Sequence, residues 1–165
     1  MKLAMYETKK YKVDLKDNGA IICYVSWDSE LFNVEVYNLS IEQYQNSFLL
    51  AELLTCVNEK AHELNVTLIT TRVAQSDLVA VHALEDVGFR FIEANYHPFL
   101  NCSDILFLPD EIFSISLCTD CEVMSMSEEI GDMFKFGRYH QDERIPNNLA
   151  DIRYKNWLVN ATKIE

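Results

Sequence analysis

Residues 47–73, SFLLAELLTCVNEKAHELNVTLITTRV, decide the fold class, because a helix pattern passes there directly into a strand pattern. Apolar residues recur along one helical face, at Leu50, Leu53, Leu54, Val57, Ala61 and Leu64. Ser47 is expected to cap the start of this helix, and Asn65 to take the left-handed conformation at its end. Val66–Val73 is a nearly unbroken β-branched run, typical of a strand covered on both faces.

Strand patterns also precede this stretch. Residues 11–26 are predicted to form a hairpin, because Asp17-Asn18-Gly19 supplies the positive φ values of a tight turn. The segment WDSELF (27–32) interrupts the pattern, and Val34–Ile41 is predicted to be the next strand.

The alternation continues after residue 73. A second helix is predicted over 76–87, with Gly88 as its C-terminal cap, and Phe89–Tyr96 is predicted to be a further strand. Strand, helix, strand, helix and strand in succession predict an α/β fold, a mixed sheet with flanking helices. We place this first domain at residues 1–105.

The pattern changes in residues 106–165, which we predict to be a second, partial unit of one strand region and two helices. Phe113–Leu117 and Glu122–Met126 are predicted strands, and a short helix is expected from Ser127 to near Gly137. Asn148 is predicted to cap a last helix that carries Ala150, Tyr154, Trp157, Leu158 and Ala161 on one apolar face.

Composition excludes several classes of protein. The net charge is -12, and the basic residues are scattered, so a general nucleic-acid-binding face is not expected. The chain has no apolar run long enough to span a membrane, and its N-terminus has no secretory signal. Five cysteines at irregular spacing do not predict a disulfide framework, which favours a reducing cytoplasm.

Several segments together resemble a known family. WDSELFNVEV (27–36), HALEDVGF (82–89) and FGRYHQDERIPNNLADIRYKNWLVNA (136–161) are similar to the GNAT superfamily of N-acetyltransferases. The resemblance is greatest to two-part members similar to dTDP-fucosamine acetyltransferase, which acetylate an amino sugar on a nucleotide carrier. It implies a GNAT-like sheet, a small amine or sugar-nucleotide as substrate, and acetyl-CoA as cofactor.

The cofactor loop implied by this resemblance can be tested against the residues. Such enzymes hold the pyrophosphate on main-chain N–H groups between a strand and the long helix, where glycines allow close approach. The corresponding loop here is SIEQYQNS (40–47), which has no glycine and no basic residue and contains Glu42. We therefore expect no cofactor-binding residues in this chain, and we assign no catalytic residues.

Residues 106–165 match only the beginning of a catalytic domain of this family, so we expect a truncated chain whose cofactor-binding half is missing. Such a chain alone is expected to be inactive. The alternative is a non-catalytic interaction or dimerisation module of GNAT-like fold, whose exposed Tyr154, Trp157 and Leu158 would be buried in a homodimer or against the missing C-terminal half.

Tyr139, His140 and Arg144 are the first candidate substrate-binding residues, because the resemblance places them in a loop that covers the acceptor. Arg144 could pair with a sugar-nucleotide phosphate, and His140 could take a proton from an amine near neutral pH. The other interpretation is a polar helix entrance in which Arg144 offsets Asp142 and Glu143.

Trp27 is a further candidate that could line a substrate pocket, although a packed tryptophan at a strand end explains the same residues. Cys118 and Cys121 form a CxxC that we expect to lie in a turn between two strands, so a redox role is not favoured. No second pair of ligands accompanies them, so no metal site is predicted.

Overall fold

The structure is a computed structural model, and it describes residues 9–99, 101 and 116–162. The chain divides into two compact units, Met1–Phe91 and Ile92–Glu165. The domain boundary predicted after residue 105 lies outside the described residues. None of the described helices is both long and apolar enough to cross a membrane.

Unit 1 is built on a four-stranded sheet in the order β1-β2-β3-β4. The strands are β1 (Lys10–Leu15), β2 (Asn18–Tyr24), β3 (Val36–Gln43) and β4 (Leu68–Thr71). The first three pair antiparallel, whereas β3 and β4 pair parallel. The helices of this unit are α1 (Ser26–Phe32), α2 (Ser47–Glu63) and α3 (Leu78–Asp86). The predicted α/β class with a mixed sheet and flanking helices is confirmed.

The helix α2 connects the parallel strands and provides four of the eleven buried residues of the core cluster. Leu50, Leu53, Leu54 and Val57 are buried on it, as the apolar spacing predicted. They pack with Ile22, Tyr37 and Leu39 of the sheet and with Leu84 of α3. Burying a side chain of this size contributes about 1.5–3 kcal/mol, so this face of α2 contributes substantially to the stability of unit 1.

Positive φ values mark the ends of three helices, two of which were predicted. Asn65 follows α2 with a φ of 53°, and Gly88 follows α3 with a φ of 100°, as predicted. Asn33 ends α1 in the left-handed conformation. Short polar side chains tolerate this conformation, which explains the choice of asparagine at two of these ends.

The hairpin turn lies one residue earlier than predicted. Lys16 has a φ of 54°, and β2 already begins at Asn18. Asn18 is buried because its side chain joins two loops: Nδ2 donates to the Leu15 carbonyl at 2.9 Å, and Oδ1 accepts from the Gln45 N–H at 2.8 Å. A tertiary role for Asn18 thus replaces the turn role that its sequence position indicated.

The segment WDSELF (27–32) interrupts the strands, as predicted, because it forms most of the helix α1. Ser29 ties this helix to β3, since the Val36 N–H donates to Ser29 Oγ at 2.9 Å. The predicted strand Phe89–Tyr96 is wrong: these residues carry no strand, so β4 is an edge of the described sheet.

Unit 2 consists, in its described part, of the helices α4 (Asp120–Met133), α5 (Arg138–Gln141) and α6 (Asn147–Ala161). The predicted strand Glu122–Met126 is wrong, since these residues lie inside α4. A capping box between Thr119 and Glu122 starts this helix earlier than expected. Of the other predicted strand, Phe113–Leu117, only residues 116 and 117 are described, and they are in neither helix nor strand.

The helices α4 and α6 pack closely, with Val123, Ser127 and Ala150 buried between them. Gly131 permits this approach, because a Cβ at this position would lie only 3.2 Å from the Asp151 Cβ. The last helix begins at Asn147 with Pro146 as its N-cap, so the predicted cap at Asn148 is wrong by two residues.

Candidate functional site

The candidate substrate stretch, residues 137–144, forms the short helix α5 and the turn that leads into α6. Tyr139 and His140 both contact Tyr154 of α6: the ring centroids lie 5.7 Å away in each case. The structure therefore brings two of the predicted residues together on one aromatic side chain.

Tyr139 is buried and not on the surface. Its hydroxyl accepts a hydrogen bond from Arg138 Nη2 at 2.5 Å. The guanidinium groups of Arg138 and Arg153 lie 4.6 Å and 5.3 Å from the centre of its ring. Two cations over an aromatic face are favourable, so Tyr139 anchors two arginines in unit 2.

His140 is almost fully buried, with 6% of its side chain exposed. Its Nε2 lies 2.8 Å from Oδ1 of Asp151, and its ring is parallel to that of Tyr154. A neutral imidazole facing a carboxylate donates from the nitrogen in contact. The opposite atom, Nδ1, is buried and has no hydrogen-bond partner among the described residues.

The N-terminal end of α5 is closed by other side chains of the unit. The Arg138 N–H donates to Glu93 Oε2 at 3.0 Å. The Tyr154 ring covers Gly137 so closely that a Cβ there would overlap its hydroxyl. Burial raises the pKa of Tyr154, and the nearby Glu93 carboxylate adds to this rise.

Arg144 is paired with Asp142 in the same turn. Its Nε donates to Oδ1 at 2.7 Å and its Nη2 to Oδ2 at 2.6 Å, a two-point contact. These hydrogen bonds hold the pKa of Asp142 below its ordinary value. The guanidinium side chain is 60% exposed, so it faces solvent while it offsets a buried carboxylate. These are the contacts expected from the second interpretation, a polar helix entrance in which Arg144 offsets Asp142.

Trp27 lies in the first turn of α1 in unit 1, with 40% of the residue exposed. Its neighbours Asp28 and Ser29 are buried. The Trp27 side chain is therefore partly exposed on a helix and does not lie at the end of a strand.

The loop between β3 and α2 does not fit the pyrophosphate of acetyl-CoA. Asn46 Oδ1 caps α2 by accepting the Leu49 N–H at 2.9 Å, and the Leu50 N–H is bonded to the Asn46 carbonyl. The Gln45 N–H is bonded to Asn18. Three main-chain donors at this loop are thus already bonded within the protein and are not free for a phosphate.

A second hydrogen bond involves Tyr44 of the same β3–α2 loop. The Tyr44 hydroxyl donates to Asp77 Oδ1 at 2.5 Å, and the same oxygen caps α3 by accepting the Ala80 N–H. Asp77 places a carboxylate beside the β3–α2 loop, where it would repel an anion. The residues present therefore disagree with a cofactor site at this position.

No group of three or more His, Cys, Asp or Glu side chains that could hold a metal ion occurs in the described part of the chain. The sequence interpretation missed the contacts that Arg138, Asp151 and Tyr154 make with the candidate residues. Arg138 is the chain neighbour of Tyr139, whereas Asp151 and Tyr154 lie on α6 and are brought to Tyr139 and His140 only by the fold.

No family model and no curated protein matches the chain. A solved structure described as "Crystal structure of a probable acetyltransferase" is similar to it, at 20% sequence identity and a TM-score of 0.42. The similarity covers 59% of this chain and 70% of that chain. A similarity of this size identifies neither a family nor a substrate for this protein.

Proposed function

We propose that this chain is part of an N-acetyltransferase of the GNAT type that acts on a small amine, with an amino sugar on a nucleotide carrier as the favoured acceptor. The observation that carries the proposal is the arrangement of unit 1. An antiparallel β1–β2–β3 meander continues through the long helix α2 into β4, which is parallel to β3. This arrangement agrees with the resemblance of residues 27–36 and 82–89 to that superfamily.

The chain contributes to the acceptor side of such an enzyme in this proposal, and not to the cofactor side. In this proposal acetyl-CoA does not bind at the β3–α2 loop, where Gln45, Leu49 and Leu50 already donate to acceptors of the chain itself. In unit 2 the proposed acceptor contact is Arg144, in the turn that follows the buried Tyr139 and His140 of α5. Trp27 is a separate candidate contact in unit 1. Arg144 supports this role because its guanidinium is largely exposed, although a phosphate would have to compete with Asp142.

Calorimetric titration of the full 165-residue chain tests both parts of the proposal. We expect no binding of acetyl-CoA, whereas a dTDP-linked amino sugar should bind. The variant Arg144→Gln should weaken acceptor binding at least tenfold, since a charged contact to phosphate is lost. Arg90→Gln, an exposed arginine in unit 1, is the matched control and should leave the affinity unchanged.

Each result has a separate meaning. Micromolar binding of acetyl-CoA would show that the β3–α2 loop opens or that another part of the chain holds the cofactor. Absence of acceptor binding to the folded chain would overturn the acceptor-side role.

The second candidate function is a non-catalytic interaction or dimerisation module. It is favoured by the apolar surface of unit 2, where Trp157 remains 47% exposed and Met133 and Phe136 are also exposed. A melting temperature that rises with protein concentration would support this candidate. A monomer in sedimentation, with a melting temperature independent of concentration, would count against it.

A further inference from the structure

Two cysteines lie at the start of α4. The helix begins at Asp120 with Thr119 as its N-cap, so Cys118 directly precedes the cap and Cys121 lies in the first turn. Both residues are exposed, and both thiols are free. The expected turn between two strands is therefore wrong, and the pair occupies a helix N-terminus instead.

The N-terminus of a helix is where main-chain N–H groups and the helix dipole favour a thiolate. The capping box uses two of these donors: the Thr119 N–H donates to Glu122 Oε2 at 2.8 Å, and the Glu122 N–H to Thr119 Oγ1 at 3.4 Å. The N–H groups of Asp120 and Cys121 have no acceptor within the described residues. Two donors are thus left beside the two thiols.

Only Thr119 and Asp120 separate the two cysteines, so a rearrangement of the short segment before the helix is enough to bring them together. A disulfide joins Cα atoms roughly 4.4–6.8 Å apart. Cys118 lies outside the helix, so its side chain can reorient without breaking a helical hydrogen bond.

The other described cysteines lack this arrangement. Cys23 lies in β2 and Cys56 in α2, and both are partly buried and have no cysteine three residues away. The thiolate is the nucleophile in thiol–disulfide exchange, so we expect the exchange reaction to be slow at acidic pH and to accelerate as the pH rises.

We propose that Cys118 and Cys121 form a dithiol site that a small disulfide, such as oxidised glutathione, converts reversibly into an intrachain disulfide. One thiolate attacks a sulfur of the small disulfide and releases one reduced thiol. The second thiolate then attacks the mixed disulfide, forms the Cys118–Cys121 bond and releases the second reduced thiol. The protein loses two electrons and two protons, and the small disulfide gains them. This proposal does not depend on the acetyltransferase assignment.

The test is equilibration of the full chain with mixtures of oxidised and reduced glutathione, followed by acid quenching, alkylation and mass spectrometry. We expect the oxidised form to be lighter by about 2 Da and to lose alkylation at both Cys118 and Cys121. Excess reduced glutathione should restore both alkylation sites. Peptide mapping should place the new bond between these two residues.

Variants separate this site from general thiol chemistry. Cys118→Ser should abolish the internal disulfide and leave a glutathione adduct on Cys121, and Cys121→Ser should do the converse. Cys56→Ser is the matched control and should oxidise like the unmodified chain. Both substituted residues of the pair are exposed, so circular dichroism should show unchanged folding.

Three results would overturn the proposal. These are an unchanged mass under fully oxidising conditions, stable single adducts on both cysteines of the unmodified chain, and a bond from either residue to Cys102 or to another chain.

Discussion

His140 and Asp151, 11 residues apart in the chain, meet between α5 and α6, with Nε2 and Oδ1 separated by 2.8 Å. The imidazole is buried, whereas 43% of the carboxylate side chain is exposed. The pair joins the short helix α5, which has only one turn, to the longer helix that supports it. A hydrogen bond to a charged acceptor is among the stronger links available for this purpose.

The first prediction concerns this pair. Asp151→Ala should destabilise unit 2 by about 1–2 kcal/mol, because a buried donor loses its charged acceptor. Chemical unfolding followed by Trp157 fluorescence, in a Trp27→Phe background, measures the loss for unit 2. Asn156→Ala, at an exposed position of the same helix, should change stability by less than about 0.5 kcal/mol. Equal effects of the two substitutions would contradict the importance of the pair.

The second prediction concerns the contact between Gly137 and Tyr154. Gly137→Ala should cost about 1–3 kcal/mol, because the added Cβ overlaps the tyrosine hydroxyl. In a Tyr154→Phe background the same substitution should cost less, since the overlapping oxygen is absent. A double-mutant cycle from four unfolding curves measures this difference. Additive effects would show that the overlap is not the cause.

The third prediction is the pH dependence of the turn at Asp142. The pKa of this carboxyl is lowered in the folded protein, chiefly by the hydrogen bonds from Arg144. The pair therefore contributes its full stability above the ordinary pKa of aspartate, and the contribution is lost as the pH falls below roughly 4. Unfolding curves between pH 7 and pH 3 should show a smaller decline in Arg144→Met than in the unmodified chain. A steeper decline in the variant would contradict the stabilising contribution of the Asp142–Arg144 pair near neutral pH.

The fourth prediction tests the closed N-terminus of α2. Asn46→Ala should destabilise unit 1 by about 1 kcal/mol, because the Leu49 N–H loses its acceptor. Asn46→Asp retains an acceptor and should preserve stability. Unfolding monitored by Trp27 fluorescence, in a Trp157→Phe background, gives both values. If alanine and aspartate behave alike, the side chain does not cap the helix.

The fifth prediction concerns Asn18, which links the hairpin turn to the β3–α2 loop. Asn18→Ala should cost about 1–2 kcal/mol, since it leaves the Gln45 N–H and the Leu15 carbonyl without the side chain that joins them. Asp17→Ala, at the neighbouring exposed position, is the control for the turn itself. A larger effect at Asp17 would show that this segment acts mainly through the hairpin turn and not through the link made by Asn18.

The elements with a long apolar period were determined by the sequence alone. Leu50, Leu53, Leu54 and Val57 recur at the spacing of one helical face, and the structure buries all four. Asn65 and Gly88 end their helices with positive φ because few residues adopt that conformation at low cost. Such features depend on residues near one another in the chain, so they can be predicted without knowledge of the fold.

Only the tertiary structure decided the roles of Asn18 and Asp151. Asn18 reaches the Gln45 N–H, and His140 reaches Asp151, across distances that no local pattern encodes. Residues 122–126 have a short alternation that suits a strand, yet the capping box at Thr119 and the packing of α4 on α6 make them helical. Helical packing determines this segment because burial of Val123 and Ser127 against α6 outweighs the weak preference of a five-residue run.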